Sequence, residues 1–83
     1  MGRKTLTMKV RNWQINAAHF NWSSIMFHTI KHFILVEGRE VLLEESNHGV
    51  HGIETIQCWA RLRAIEFAKE LKREIITRIH RRD

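Results

Sequence analysis

At 83 residues the chain can enclose one small core, and 43% apolar content with Trp13, Trp22 and Trp59 excludes a disordered composition. The single cysteine, Cys58, excludes an intramolecular disulfide framework and points to a reducing compartment, taken as the cytoplasm. The net charge of +5 suits a polyanionic partner.

That charge is unevenly spread. Residues 1–35 hold five basic groups and no acidic one; residues 36–55 hold Glu37, Glu40, Glu44, Glu45 and Glu54 against Arg39 alone; residues 56–83 hold eight basic groups against four acidic. Two basic zones flank an acidic belt. The start, Gly2-Arg3-Lys4 followed by Thr5 to Lys9, lacks the apolar segment of a signal peptide. The longest apolar run, Ile25 to Val36, is broken by His28, Lys31 and His32 and is too short to span a membrane, so no membrane partner is expected.

In chain order, Leu6, Met8 and Val10 alternate with Thr5, Thr7, Lys9 and Arg11, which predicts a strand over about 5–11. Asn21-Trp22-Ser23-Ser24 is turn-like. Residues 25–36 fit two periods. As a strand they place Met26, Ile30, Ile34 and Val36 on one face and Phe27, Phe33 and Leu35 on the other. As a helix they align Trp22, Met26, Ile30, Phe33 and Ile34. The β-branched and aromatic content favours the strand. Glu37 to Glu40 reads as a tight connection, Val41-Leu42-Leu43 as the returning hairpin strand, and Ser46 to Gly52 as a polar, glycine-bearing loop.

From Ile53 to His80 the pattern predicts one long helix. Ile53, Ile56, Ala60, Ala64, Phe67, Ala68, Leu71, Ile75 and Ile79 recur at three and four, and neither Pro nor Gly interrupts them. Cys58, Trp59, Leu62 and Ile65 make the back of the first half apolar as well, whereas beyond Glu66 only a narrow seam remains. A helix of that span is a rod of about 40 Å, longer than a domain of this size is wide. Its end is therefore expected to overhang, with Leu71, Ile75 and Ile79 covered by a second copy of the chain in a homodimer.

The strand, hairpin and helix order, with Glu54-Thr55 opening a helix that carries an early Trp59, resembles in pattern the plant AP2 type of DNA-binding domain. The resemblance covers Phe27 to Leu71 without a diagnostic motif. It implies a sheet face that enters the DNA major groove. A strand followed by two helices, the ribbon-helix-helix plan, also fits Thr5 to Arg11, although the interval before Ser23 is short for the first helix.

The basic residues expected to contact nucleic-acid phosphates are Arg3, Lys4, Lys9 and Arg11 on the first strand and Arg78, Arg81 and Arg82 at the tail. Interleaved Glu66, Glu70 and Glu74 weaken the middle of the helix for that role. The spacing of His28 with His32, and of His48 and His51 before Cys58, raises a metal site. No paired cysteine spacing accompanies them, so neither metal nor cofactor is expected. Cys58 falls on the apolar half of the helix, where a buried, inert thiol is expected, and no catalytic residue is expected.

The expectation is therefore an α+β fold in one domain over 1–83. Residues 5–47 are mainly β, forming a small antiparallel sheet of an N-terminal strand plus a hairpin. The sheet packs on one long C-terminal helix at 53–80. The function expected is a non-enzymatic, DNA-binding regulatory role as a dimer. The competing expectation is an inhibitor or adaptor that meets a protein partner through the acidic belt and the helix seam.

Overall fold

A computed structural model describes residues 5–10 and 25–82. The elements run β1 (Thr5–Val10), β2 (Ile25–Val36), β3 (Arg39–Gly52), α1 (Ile53–Leu71) and β4 (Ile75–Arg82). They form a four-stranded sheet in the order β1-β4-β2-β3, antiparallel at every pairing, with α1 on one face. The α+β architecture expected from the sequence is present. The turn expected at 21–24 lies outside the described residues.

The β2–β3 hairpin closes through Glu37 and Gly38, both at positive φ (52° and 78°). Positive φ at both central residues matches the twist of the flanking strands. Val36 then pairs with Arg39, and the ladder continues to Ile25 opposite Gly52. The residues 46–52, expected as a loop, are thus the second half of β3. Their glycines and polar side chains disfavour a strand in isolation, but β2 supplies the partner backbone and overrides that preference. Two register shifts, at Met26/His28 and His32/Phe33, set Gly49 and Val50 together against Phe27 and leave Leu43 as an extra residue on β3. Such bulges bend an edge strand away from intermolecular pairing.

The larger correction concerns the helix. It ends at Leu71, where Lys72 adopts the left-handed conformation (φ 54°, ψ 42°) and its N–H donates to the Ala68 carbonyl at 2.8 Å. After Arg73 and Glu74 the chain becomes β4. Nineteen residues make a helix of about 28 Å, inside the 34 Å long axis of the molecule, so nothing overhangs. Ile75 and Ile79 are 0% exposed in β4, and only Leu71, at 38%, lies near the surface. The helix seam expected to join two copies in a homodimer therefore does not exist.

The stripe misleads because Leu71, Ile75 and Ile79 are spaced by four. Four residues return a side chain to the same side of a helix and equally to the same face of a strand. The composition of Ile75-Ile76-Thr77, β-branched throughout, is the signal that separates the two.

β4 enters between β1 and β2. Its odd-numbered residues face α1, with Ile79 lying between Leu6 and Ile30 in register. Ile53, Ile56 and Ala60 of α1 close over this trio, and Ala64 and Ala68 close over Ile75, Ile34 and Leu43. Alanine at 60, 64 and 68 gives the helix a smooth stripe that lets it sit close to the sheet. Among the described residues no helix is long and apolar enough to cross a membrane. Ile79→Ala should cost about 2–5 kcal/mol, whereas Leu71→Glu should change stability by less than about 1 kcal/mol. Chemical denaturation of the two variants tests the β4 assignment, because a projecting helix seam would make their costs similar.

Candidate nucleic-acid interface

Strand alternation divides the sheet into two unlike faces. Leu6 and Met8, Ile30 and Ile34, and Ile75 and Ile79 point to α1. The alternate residues Thr5, Thr7 and Lys9 of β1, Phe27, Lys31, Phe33 and Leu35 of β2, and Ile76, Arg78, His80 and Arg82 of β4 share the opposite face. The β3 residues on this face are Leu42, Glu45 and Asn47, opposite Phe33, Lys31 and Thr29 in register.

On that second face two phenylalanines of β2 meet two arginines of β4. Arg82 lies over the Phe27 ring, 5.7 Å from its centroid, and Arg78 over the Phe33 ring at 5.3 Å. Phe27 is 49% exposed and Leu42 47%. The Arg78 guanidinium also grips Glu40, with Nη2 donating to Oε2 at 2.8 Å and Nη1 donating to Oε1. Lys31 and Glu45 approach to 3.9 Å across β2 and β3. Thr29 Oγ1 donates to Asn47 Oδ1 at 2.7 Å, and Thr5 Oγ1 and His80 Nδ1 share a hydrogen bond at 3.0 Å. Hydrogen bonding to Arg78 holds the Glu40 carboxyl below the usual carboxylate range.

Of the basic residues expected from the sequence, the fold brings Lys9, Arg78 and Arg82 onto this face. Arg81, opposite His28, lies on the helix-facing side. Arg3, Lys4 and Arg11 lie outside the described residues. Lys31 was not among the expected contacts, and the two rings were separated from the other apolar residues only by the strand reading of 25–36. What the sequence could not show was that β4, and with it Arg78 and Arg82, would lie beside them.

The helix side holds a polar layer. His32 Nδ1 and Thr77 Oγ1 share a hydrogen bond at 2.8 Å, both residues being buried, and His32 is tilted against Phe67 at 5.5 Å between centroids. Above them Arg63 braces α1 to β3. Its Nε donates to Glu44 Oε1 at 3.1 Å and its Nη2 to Oε2 at 2.9 Å, while the guanidinium stacks on Phe67 at 4.3 Å. The Glu44 carboxyl is held low chiefly by this bond. A cavity of about 250 Å³ between α1 and β3 is walled by His32, Glu44, His48, Trp59 and Arg63. Its charged groups are committed to one another.

His48 and His51 pack on Trp59, at 5.3 and 4.8 Å, rather than converging on Cys58. On a strand, four residues separate His28 from His32 by about 13 Å, too far for a shared ion. Among the described residues no group of three His, Cys, Asp or Glu side chains is placed to hold a metal ion. Comparison with protein families, curated proteins and solved structures gives no match for this sequence.

Burial lowers the His32 pKa from 6.5 to about 4; Glu44 opposes the shift and Arg63 adds to it. Folded His32 is therefore neutral where the unfolded chain takes up a proton. Its contribution is intact above pH 6.5 and is lost as pH falls from 6.5 toward 4. The loss amounts to roughly 3 kcal/mol. Urea unfolding between pH 7 and 4 should show this decline, and His32→Gln, which takes on no charge, should flatten it. An equal slope in the variant would remove His32 as the cause.

Proposed function

We propose that this chain is a small, non-enzymatic nucleic-acid-binding protein of the cytoplasm that holds its ligand on the sheet face opposite α1. The observation that carries the reading is the joining, on the sheet face opposite α1, of Lys9, Lys31, Arg78 and Arg82 with the Phe27 and Phe33 rings, around the buried Ile76 and Thr29. Phosphates are held by basic side chains and bases by apolar and aromatic surface, so the combination suits a polyanion that also carries planar rings. Cys58, expected to be buried, is instead an exposed free thiol on α1, which accords with a reducing compartment.

The acidic belt lends less to a protein-binding role. Glu40, Glu44 and Glu45 are engaged by Arg78, Arg63 and Lys31 within the fold. What favours a protein partner is the apolar surface of Trp59 and Leu62, both exposed on α1, away from the basic face.

Titration of generic DNA and RNA with salt tests the reading. Binding should weaken steeply as salt rises, and Lys9→Ala and Arg82→Ala should each lower the log–log slope by about 0.7–0.9. No binding at low salt would refute it.

A further inference from the structure

The same face indicates which form of nucleic acid it takes, an inference that rests on the reading above. We infer that the ligand is single-stranded, with unpaired bases stacking at the Phe27–Arg82 and Phe33–Arg78 pairs and the backbone tracking along β2 and β4.

Width is the first argument. Four strands place the outer two about 14 Å apart between their axes, and their side chains add to that, whereas the major groove of duplex DNA is about 12 Å wide. A two-stranded ribbon enters that groove; this four-stranded sheet is too broad. The resemblance to a groove-entering three-stranded sheet is broken at this point, because β4 adds a fourth strand at the centre.

The second argument is the arrangement of the rings. Phe27 and Phe33 stand on one face of one strand, six residues and about 20 Å apart. Each has an arginine of β4 against it. An arginine held beside a ring adds positive charge next to a surface on which a base stacks; at Phe33 that charge is shared with Glu40. Between the two rings lie Lys31, opposite Arg78 in register, and Thr29, opposite His80. The path is thus ring, polar and cationic groups, then ring, which suits an extended strand of several nucleotides. Bases stacked within a duplex expose no π-face to such a path.

Charge gives the third argument. Glu40 and Glu45 lie on the β3 side of this face, while Lys9 lies on the β1 side. Those two carboxylates are paired with Arg78 and Lys31, so Lys9 and Arg82, on β1 and β4, are the cations of this face outside these pairs and draw the phosphates to that side.

The test uses the full chain and 5′-fluorescein oligonucleotides, dT12 and U12, against a 12-base-pair duplex, read by fluorescence anisotropy at low salt. Both single strands should bind more tightly than the duplex, and the ratio of dT12 to U12 shows whether DNA or RNA is preferred. Phe27→Leu and Phe33→Leu keep apolar bulk but remove the π-face, and each should weaken single-strand binding roughly 5- to 100-fold. Phe27→Tyr and Phe33→Tyr should restore it. Duplex binding as tight as single-strand binding, or leucine variants that bind like the parent, would overturn the inference while leaving salt-dependent nucleic-acid binding intact. Failure of every oligonucleotide to bind would remove both. Photo-crosslinking of 5-iodouridine-substituted U12 to the unmodified chain needs no variant to fold. Adducts at Phe27 or Phe33 support the inference, and adducts confined to α1 or β3 overturn it.

Discussion

Everything in this fold depends on the insertion of β4 between β1 and β2. β1 reaches the rest of the sheet only through β4, and β2 needs β4 to become interior. Ile79, in register with both Leu6 and Ile30, ties these three strands to α1 through one fully buried side chain. Take β4 away, and a hairpin with a helix remains, which is marginal at this size. The insertion also makes β3 and β4 parallel, since both run antiparallel to β2. A parallel pair needs a long crossover, and α1 is that crossover, laid across the face it must cover.

The two faces follow from this one arrangement but obey different physics. Toward α1, burial dominates: an alanine stripe brings the helix close, and polar groups such as His32 and Thr77 are admitted in hydrogen-bonded pairs. Away from α1, solvated charges and half-exposed rings meet across strands. Ion pairs at such a surface stabilise little in general, so Arg78–Glu40 and Lys31–Glu45 matter more for where they hold charge than for the stability they add. They fix the basic groups of β4 and β2 along the aromatic line and gather carboxylates on the β3 side.

That asymmetry is what makes a strand-like polyanion a better fit than a compact one. Rings that lie along a single strand, with cations from the neighbouring strand laid over them, define a direction as well as a surface. The other chemistry-rich region, around Glu44, Arg63 and the histidines, is occupied with joining helix to sheet. Its bidentate Arg63–Glu44 bond compensates for the bulge at Leu43, which brings Glu44 to the helix side.

The sequence alone determined the class of fold, a strand over about 5–11, a tight connection within Glu37 to Glu40 and the start of the helix at Ile53. Each rests on local physics: alternation, a polar glycine-bearing turn, or a three-and-four stripe. It also placed Phe27, Phe33 and Leu35 together once 25–36 was read as a strand. Where two periods coincide, local pattern loses its power, and the spacing of Leu71, Ile75 and Ile79 by four hid the fourth strand inside an apparent helix. Lys72, Arg73 and Glu74 carry no helix-breaking chemistry, so the end of α1 is set by β4, whose buried place in the sheet outweighs continued helix. Only the tertiary structure decided that β4 lies against β2, and hence that Arg78 and Arg82 meet the two rings. Those contacts join residues about fifty positions apart, and which strands pair at that separation depends on the whole core.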